Sequence, residues 1–213
     1  MFNKNNIGWE EHDRLRECVK PFMSERRYAH TLGVEQESEK LARIFGCGNE
    51  EISKLKAAAL LHDITKETER DIQLELCEKY KIELSGDDMR VDKEWHAKTG
   101  AYVARHEFGA CDIIFNAIYY HTFGASYKDF DLPGKIIYLA DYIEPGRNYQ
   151  ACLDVRGYFY KNLECALTLE DKYKLLDDTV LLSFDKIIGA LLTERLFIHG
   201  NTVRNRNSFL SRE

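Results

Sequence analysis

The sequence predicts an all-α fold: a single domain built as a helical bundle. Three observations carry the prediction. Apolar residues recur at helical spacing along nearly the whole chain, alternating strand-like runs are absent, and only Pro21, Pro133 and Pro145 interrupt 213 residues. That length suits one domain with a substantial core.

The elements follow in order. A first helix is expected from Trp9 to Met23, with Pro21 disturbing its end. A second runs from Ser24 to Phe45, turns Val34, Ser38, Leu41 and Ala42 inward, and stops where Gly46 can adopt a left-handed conformation. Asn49 is the expected N-cap of a third helix, which carries Ile52, Leu55, Ala58, Ala59 and Leu61 into the stretch Leu61-His62-Asp63. A fourth follows Thr68 to Tyr80, and the polar segment 83–94 reads as a surface loop. Helices are then expected over His96–Phe108, Cys111–His121, Pro133–Tyr142, Ala151–Leu167 and Asp178–His199. The domain is expected to occupy 1–200, and the tail 201–213, with little to bury, to be loose.

Composition narrows the function classes. Hydrophobic residues at 44% and charged residues at 31% argue against intrinsic disorder. No apolar run approaches the ~18–20 residues that span a bilayer, and the first residues lack the apolar core of a secretion signal, so a cytoplasmic, membrane-free protein is expected. The six scattered cysteines form no C-x-x-C pair, which disfavours a zinc ribbon or a disulfide framework. A formal net charge of -6 disfavours broad contact with nucleic acid. An anionic ligand would therefore need local cations or a metal.

Four of the seven histidines, His30, His62, His96 and His121, fall in or at the end of segments expected to be buried. Asp63 and Asp141 do so as well, within "LLHDIT" and "YLADYIE". Buried carboxylates are costly unless paired or bound to a cation, so these residues point to one shared metal. Imidazole with carboxylate suits iron, manganese, cobalt or zinc rather than calcium. His62 and Asp63 lie about 100° apart on a helix, so both reach one ion only if the helix points into the site or bends there, with partners from other helices. His12, His106 and His199 read as surface or C-terminal helix residues, Tyr119, Tyr120, Tyr138 and Tyr142 as core, and "SGDDMR" as an ordinary polar loop.

The segments "RRYAHTLGV", "AALLHDITKE", "WHAKTGAYVA", "AIYYHTFG" and "GKIIYLADYIEPGR" resemble, in order, the HD-domain metal phosphohydrolase superfamily. The closer resemblance is to its YqeK-type branch, the symmetrical diadenosine tetraphosphate hydrolases. It implies His30, His62, Asp63 and Asp141 as metal ligands, with His96 and His121 lining the site or completing a second metal. It also implies Arg27, Lys66 and Arg147 at phosphate oxygens, and Ile64 and Thr65 along the substrate. Asp63, Lys66 and Arg147 are the implied catalytic set. The implied cofactor is a divalent metal, iron first, with manganese, cobalt or magnesium as alternatives. The implied reaction is metal-assisted hydrolysis of diadenosine tetraphosphate to two ADP. Phe123 stands where the family commonly carries a hydroxyl, so that contact is not expected. Another nucleotide phosphohydrolase of the same superfamily (for dNTP or guanosine polyphosphates) and a non-catalytic nucleotide-binding module stay open, as does a homodimer along the apolar C-terminal helix.

Overall fold

In the computed structural model, residues 10–212 are described; they contain ten α-helices and no strand. The helices are α1 (His12–Val19), α2 (Glu25–Ile44), α3 (Asn49–Leu61), α4 (Arg70–Tyr80), α5 (Trp95–Phe108), α6 (Asp112–Tyr119), α7 (Leu132–Ile143), α8 (Gln150–Leu163), α9 (Leu169–Thr193) and α10 (Gly200–Ser211). Short 3₁₀ turns follow α1 and precede α5. Trp9, the expected start of the first helix, lies outside the described residues.

Helices α2, α3, α6 and α7 pack together and enclose the core, where Leu41, Leu55, Leu60, Leu61, Ile118, Ile136 and Leu139 are buried. Local signals set several boundaries. Ser24 caps α2 by accepting from Arg27 N, and Glu67 accepts from Ser24 N (2.6 Å) and Oγ (2.8 Å), tying the turn after α3 to the start of α2. Gly46 has the left-handed φ of +75° expected after α2. Gly48 rather than Asn49 occupies the N-cap of α3, its amide donating to the Glu51 carboxylate at 2.8 Å. Asp131 caps α7 with Pro133 in the first turn, and Pro145 follows the last turn.

The C-terminal region departs from expectation. Thr168 and Asp171 form a capping box that starts α9 about ten residues earlier than the periodicity suggests. Arg195, at φ +56°, ends that helix, so His199 begins α10 instead of closing α9. The tail is not loose. Phe209 is buried, Asn205 Nδ2 donates to Phe123 O at 2.8 Å, and Tyr127 N donates to Ser208 Oγ at 2.9 Å. An anchoring aromatic, a buried Thr202 and long-range hydrogen bonds that also include Gly200 N to Asp87 Oδ2 (2.9 Å) and Arg206 Nε to Asp185 Oδ1 (2.7 Å) therefore hold a polar helix. Among the described residues no helix is long and apolar enough to cross a membrane.

Candidate metal centre

The apolar run Ala57–Leu61 is wholly buried in α3, and the helix ends at Leu61. Residues 62–67 continue as turns, with Ile64 N donating to Leu61 O and Lys66 N to Asp63 O at 3.1 and 2.9 Å. Leaving the α-helix here lets adjacent His62 and Asp63 face the same centre, Nε2 to Oδ2 at 3.3 Å. His30 arrives from α2, His96 from the first turn of α5, His121 from the turn after α6 and Asp141 from the last turn of α7. The structure thus brings all six together.

Three of the imidazoles share one local device. The Nδ1–H of His62 donates to Ala59 O (2.6 Å), that of His96 to Lys93 O (2.9 Å) and that of His121 to Ile118 O (2.6 Å), in each case three residues back. His30 Nδ1 is held instead by Glu144 Oε1 at 3.1 Å. Fixing Nδ1 as the donor leaves Nε2 of each ring as a lone pair turned inward. His30 Nε2 and His62 Nε2 are buried without any hydrogen-bond partner. His96 Nε2 and His121 Nε2 lie 3.0 Å apart, a distance two lone pairs tolerate only with a proton or cation between them.

Asp63 is the hub. Its Oδ2 lies 2.5 Å from Arg27 Nη1 and 3.7 Å from His30 Nε2, whereas Oδ1 faces His96 (3.3 Å) and His121 (3.8 Å). Asp141 Oδ1 lies 2.9 Å from His30 Nε2, 3.8 Å from His62 Nε2 and 2.5 Å from Arg147 Nη2. Burial alone would raise both carboxyls. The His62 and His96 rings beside Asp63, and Arg147 and His30 beside Asp141, outweigh it and hold both well below the usual range. Burial, then His96 and His62, push His121 down to about 3, so that ring is neutral at pH 7. Burial lowers His62, but Asp63 and Asp141 outweigh it and raise that ring. The ionised carboxylates, the neutral His121 and the buried Nε2 atoms without partners suit a divalent cation, which would take the place of any proton on His62. The donor atoms of His30, His62 and Asp141, and those of His62, Asp63 and His121, lie within 4.8 Å of one another in each set, so the two sets share His62. The residues therefore fit a metal.

The remaining sequence candidates divide. Lys66, Arg27 and Arg147 line a cleft of about 630 Å³ that also contains Asp63, His96 and His121. The two arginines meet the carboxylates of the centre, whereas Lys66 Nζ donates to Lys93 O at 3.1 Å and lies 3.7 Å from Glu94 Oε2. The side chains of Ile64 and Thr65, expected along the substrate, are fully buried instead. Thr65 Oγ1 lies 2.8 Å from Thr99 Oγ1 and donates to His96 O at 3.2 Å, so it braces α5 from below. Glu144 was not singled out by the sequence, although it lies in the "EPGR" string that was. His199, read as a surface or C-terminal helix residue, caps the C-terminal helix α10, is buried at 3% exposure and stacks on Phe123 at 4.2 Å and 17°. The far wall of the cleft is apolar, formed by Ile187, Leu191, Leu196 and Phe197, and the amphipathic pattern of the C-terminal segment was its one sequence signal.

A helical bundle that brings histidines and aspartates from five helices, or the turns directly after them, around a buried centre beside a cationic cleft has the arrangement of an all-α hydrolase of the divalent-metal type. The HD domain pattern matches residues 27–146. The chain is 36% identical over 151 residues to the symmetrical bis(5'-nucleosyl)-tetraphosphatase of Bacillus subtilis, covering 70% of this chain and 78% of that protein. It is 31% identical over 178 residues to the protein of the same name from Staphylococcus aureus, covering 83% and 87%. A crystal structure from Clostridium acetobutylicum, described as a predicted HD superfamily hydrolase involved in NAD metabolism, superposes with a TM-score of 0.81 at 31% identity, over 95% of this chain and 98% of that one. The chain belongs to the HD domain family.

Proposed function

We propose that this chain hydrolyses diadenosine tetraphosphate at its midpoint, releasing two ADP. The observation that carries the reading is the convergence of four inward Nε2 atoms and two ionised carboxylates beside a cleft that is cationic on one side and apolar on the other. The name shared by the Bacillus and Staphylococcus relatives supports the symmetrical cut, which no single residue here dictates.

His30, His62, Asp63 and Asp141 would hold the divalent ion, iron first, with His96 and His121 beside it. Such an ion supplies a Lewis acid and makes water nucleophilic near neutral pH. The protein's own groups do the rest. Asp63, ionised and faced by four imidazoles, orients the attacking water. Arg27, Lys66 and Arg147 line the cleft where they offset charge on the phosphate chain as the P–O bond breaks. Arg90, Leu196 and Phe197 give that cleft a rim suited to a nucleotide, with Arg90 over the Phe197 ring at 4.5 Å.

Chromatography of products formed with iron or manganese tests the reading. Two ADP are expected, and AMP plus ATP, or no turnover, would overturn it. The same panel with dNTP and guanosine tetraphosphate tests the closest rival. Asp63→Ala is expected to abolish both bound metal and turnover.

A further inference from the structure

A second cleft, of about 650 Å³, lies against the first. The two have Arg27 and Arg147 as common walls, and these arginines hold the two carboxylates of the metal centre. His30 and Glu144 close the inner end of the second cleft, and Arg26 and Tyr149 stand at its outer end. Nothing in the hydrolytic centre requires this second space.

The chemistry of the substrate does. A molecule cut at its midpoint carries the same nucleoside and the same number of phosphates on both sides of the scissile bond. The reaction centre must therefore stand between two compartments each able to take one nucleoside diphosphate. The two clefts differ by about 20 Å³, and both fall in the about 300–1,000 Å³ range of small-molecule sites.

The lining of the second cleft suits a nucleoside diphosphate. Its acidic residues are already engaged: Glu67 accepts from Ser24, and Glu144 from His30 and Gly146 N. Arg26 forms no ion pair among the described residues, and its Nη2 donates only to Tyr149 Oη at 3.3 Å. Tyr149, directly after residues 146–148, leaves 61% of its surface exposed, so its ring face is open to a base. Three guanidinium groups and one open aromatic face match phosphates and a base.

We infer that this cleft seats the second ADP half of the substrate, with Tyr149 stacking on its base and Arg26 holding its phosphates. The inference rests on the diadenosine tetraphosphate reading. Metal-loaded protein in equilibrium dialysis against ADP is expected to bind two ADP per chain, and Tyr149→Ala one. In turnover of diadenosine tetraphosphate, Tyr149→Ala raises KM about ten-fold or more with kcat little changed, the loss expected for one base stack. Tyr149→Phe, which keeps the ring and loses only the Arg26 contact, stays near the wild-type KM. A single ADP on wild-type protein, or an unchanged KM in Tyr149→Ala, overturns this assignment and leaves symmetrical cleavage standing. Products other than two ADP overturn the reading beneath it.

Discussion

Glu144 Oε1 lies 3.1 Å from His30 Nδ1, and Glu144 Oε2 accepts from Gly146 N at 2.5 Å. One buried carboxylate thereby fixes the tautomer of an inward histidine and the turn that carries Arg147. Such partners raise ligand basicity, and losing them typically costs 10–100-fold in metal affinity. Glu144→Gln keeps the shape but weakens the pull on Nδ1. Its affinity for iron or manganese is expected to fall by about 10–100-fold, read by competition with a metal-sensitive dye, with helical circular dichroism unchanged.

Gly33 stands one turn after His30 on α2, and a Cβ there would sit 2.5 Å from Glu144 Oε2. The chain needs glycine at this point for close approach, not for an unusual φ. Gly33→Ala is expected to displace the Glu144 carboxylate and reproduce the Glu144→Gln loss of metal affinity. It should also destabilise the fold by about 1–3 kcal/mol, since the added methyl meets a packed side chain. Combining both substitutions tests the shared route: metal-affinity losses well short of additive are expected, because each acts through the same carboxylate.

The six side chains that converge on the centre were legible because burying His62, Asp63 and Asp141 is costly without a cation, and that cost shows in an apolar run ending in charge. Glu144 was not legible: beside Pro145 it looks like any polar helix terminus, and only the fold carries it to His30. The same holds for the carbonyls of Ala59, Lys93 and Ile118, since a backbone acceptor three residues back leaves no mark in side-chain chemistry. Ile64 and Thr65, implied along the substrate by the resemblance, turn their side chains into the core. His199 was misplaced because the periodicity of α9 runs on past Thr193, while Arg195 turns the backbone away.

Buried Nε2 atoms without partners at His30 and His62 mean that a bound ion should stabilise the fold by mass action. At a free metal concentration one hundred times Kd this is about 2.7 kcal/mol. For a domain of this size that corresponds to about 5–10 °C in Tm. Scanning calorimetry with and without a chelator is expected to show a shift of this order in the wild type and none in Asp63→Ala. A chelator-insensitive wild-type transition would contradict a resident metal.

Asp88, in the loop that read as plain polar surface, is buried; it accepts from Lys98 Nζ (2.7 Å) and from Ser85 N (2.7 Å) and Oγ (2.6 Å). Its Oδ1 lies 3.5 Å from His199 Nε2, joining the loop before α5 to the start of α10 and so to the apolar wall of the first cleft. Burial raises this carboxyl, but Lys98 and Ser85 together outweigh it and hold it below its ordinary value. A group lowered on folding contributes stability that is present above its unfolded pKa, about 3.9, and is lost as pH falls through the folded value. Wild-type protein should therefore lose stability below about pH 4, with Asp88 contributing to the slope. Asp88→Ala is expected to cost about 3 kcal/mol at pH 7, because it strands Lys98, and to flatten the acid limb of a urea-denaturation series between about pH 4 and 3. An equal slope in both proteins would mean that Asp88 is not held ionised by these partners.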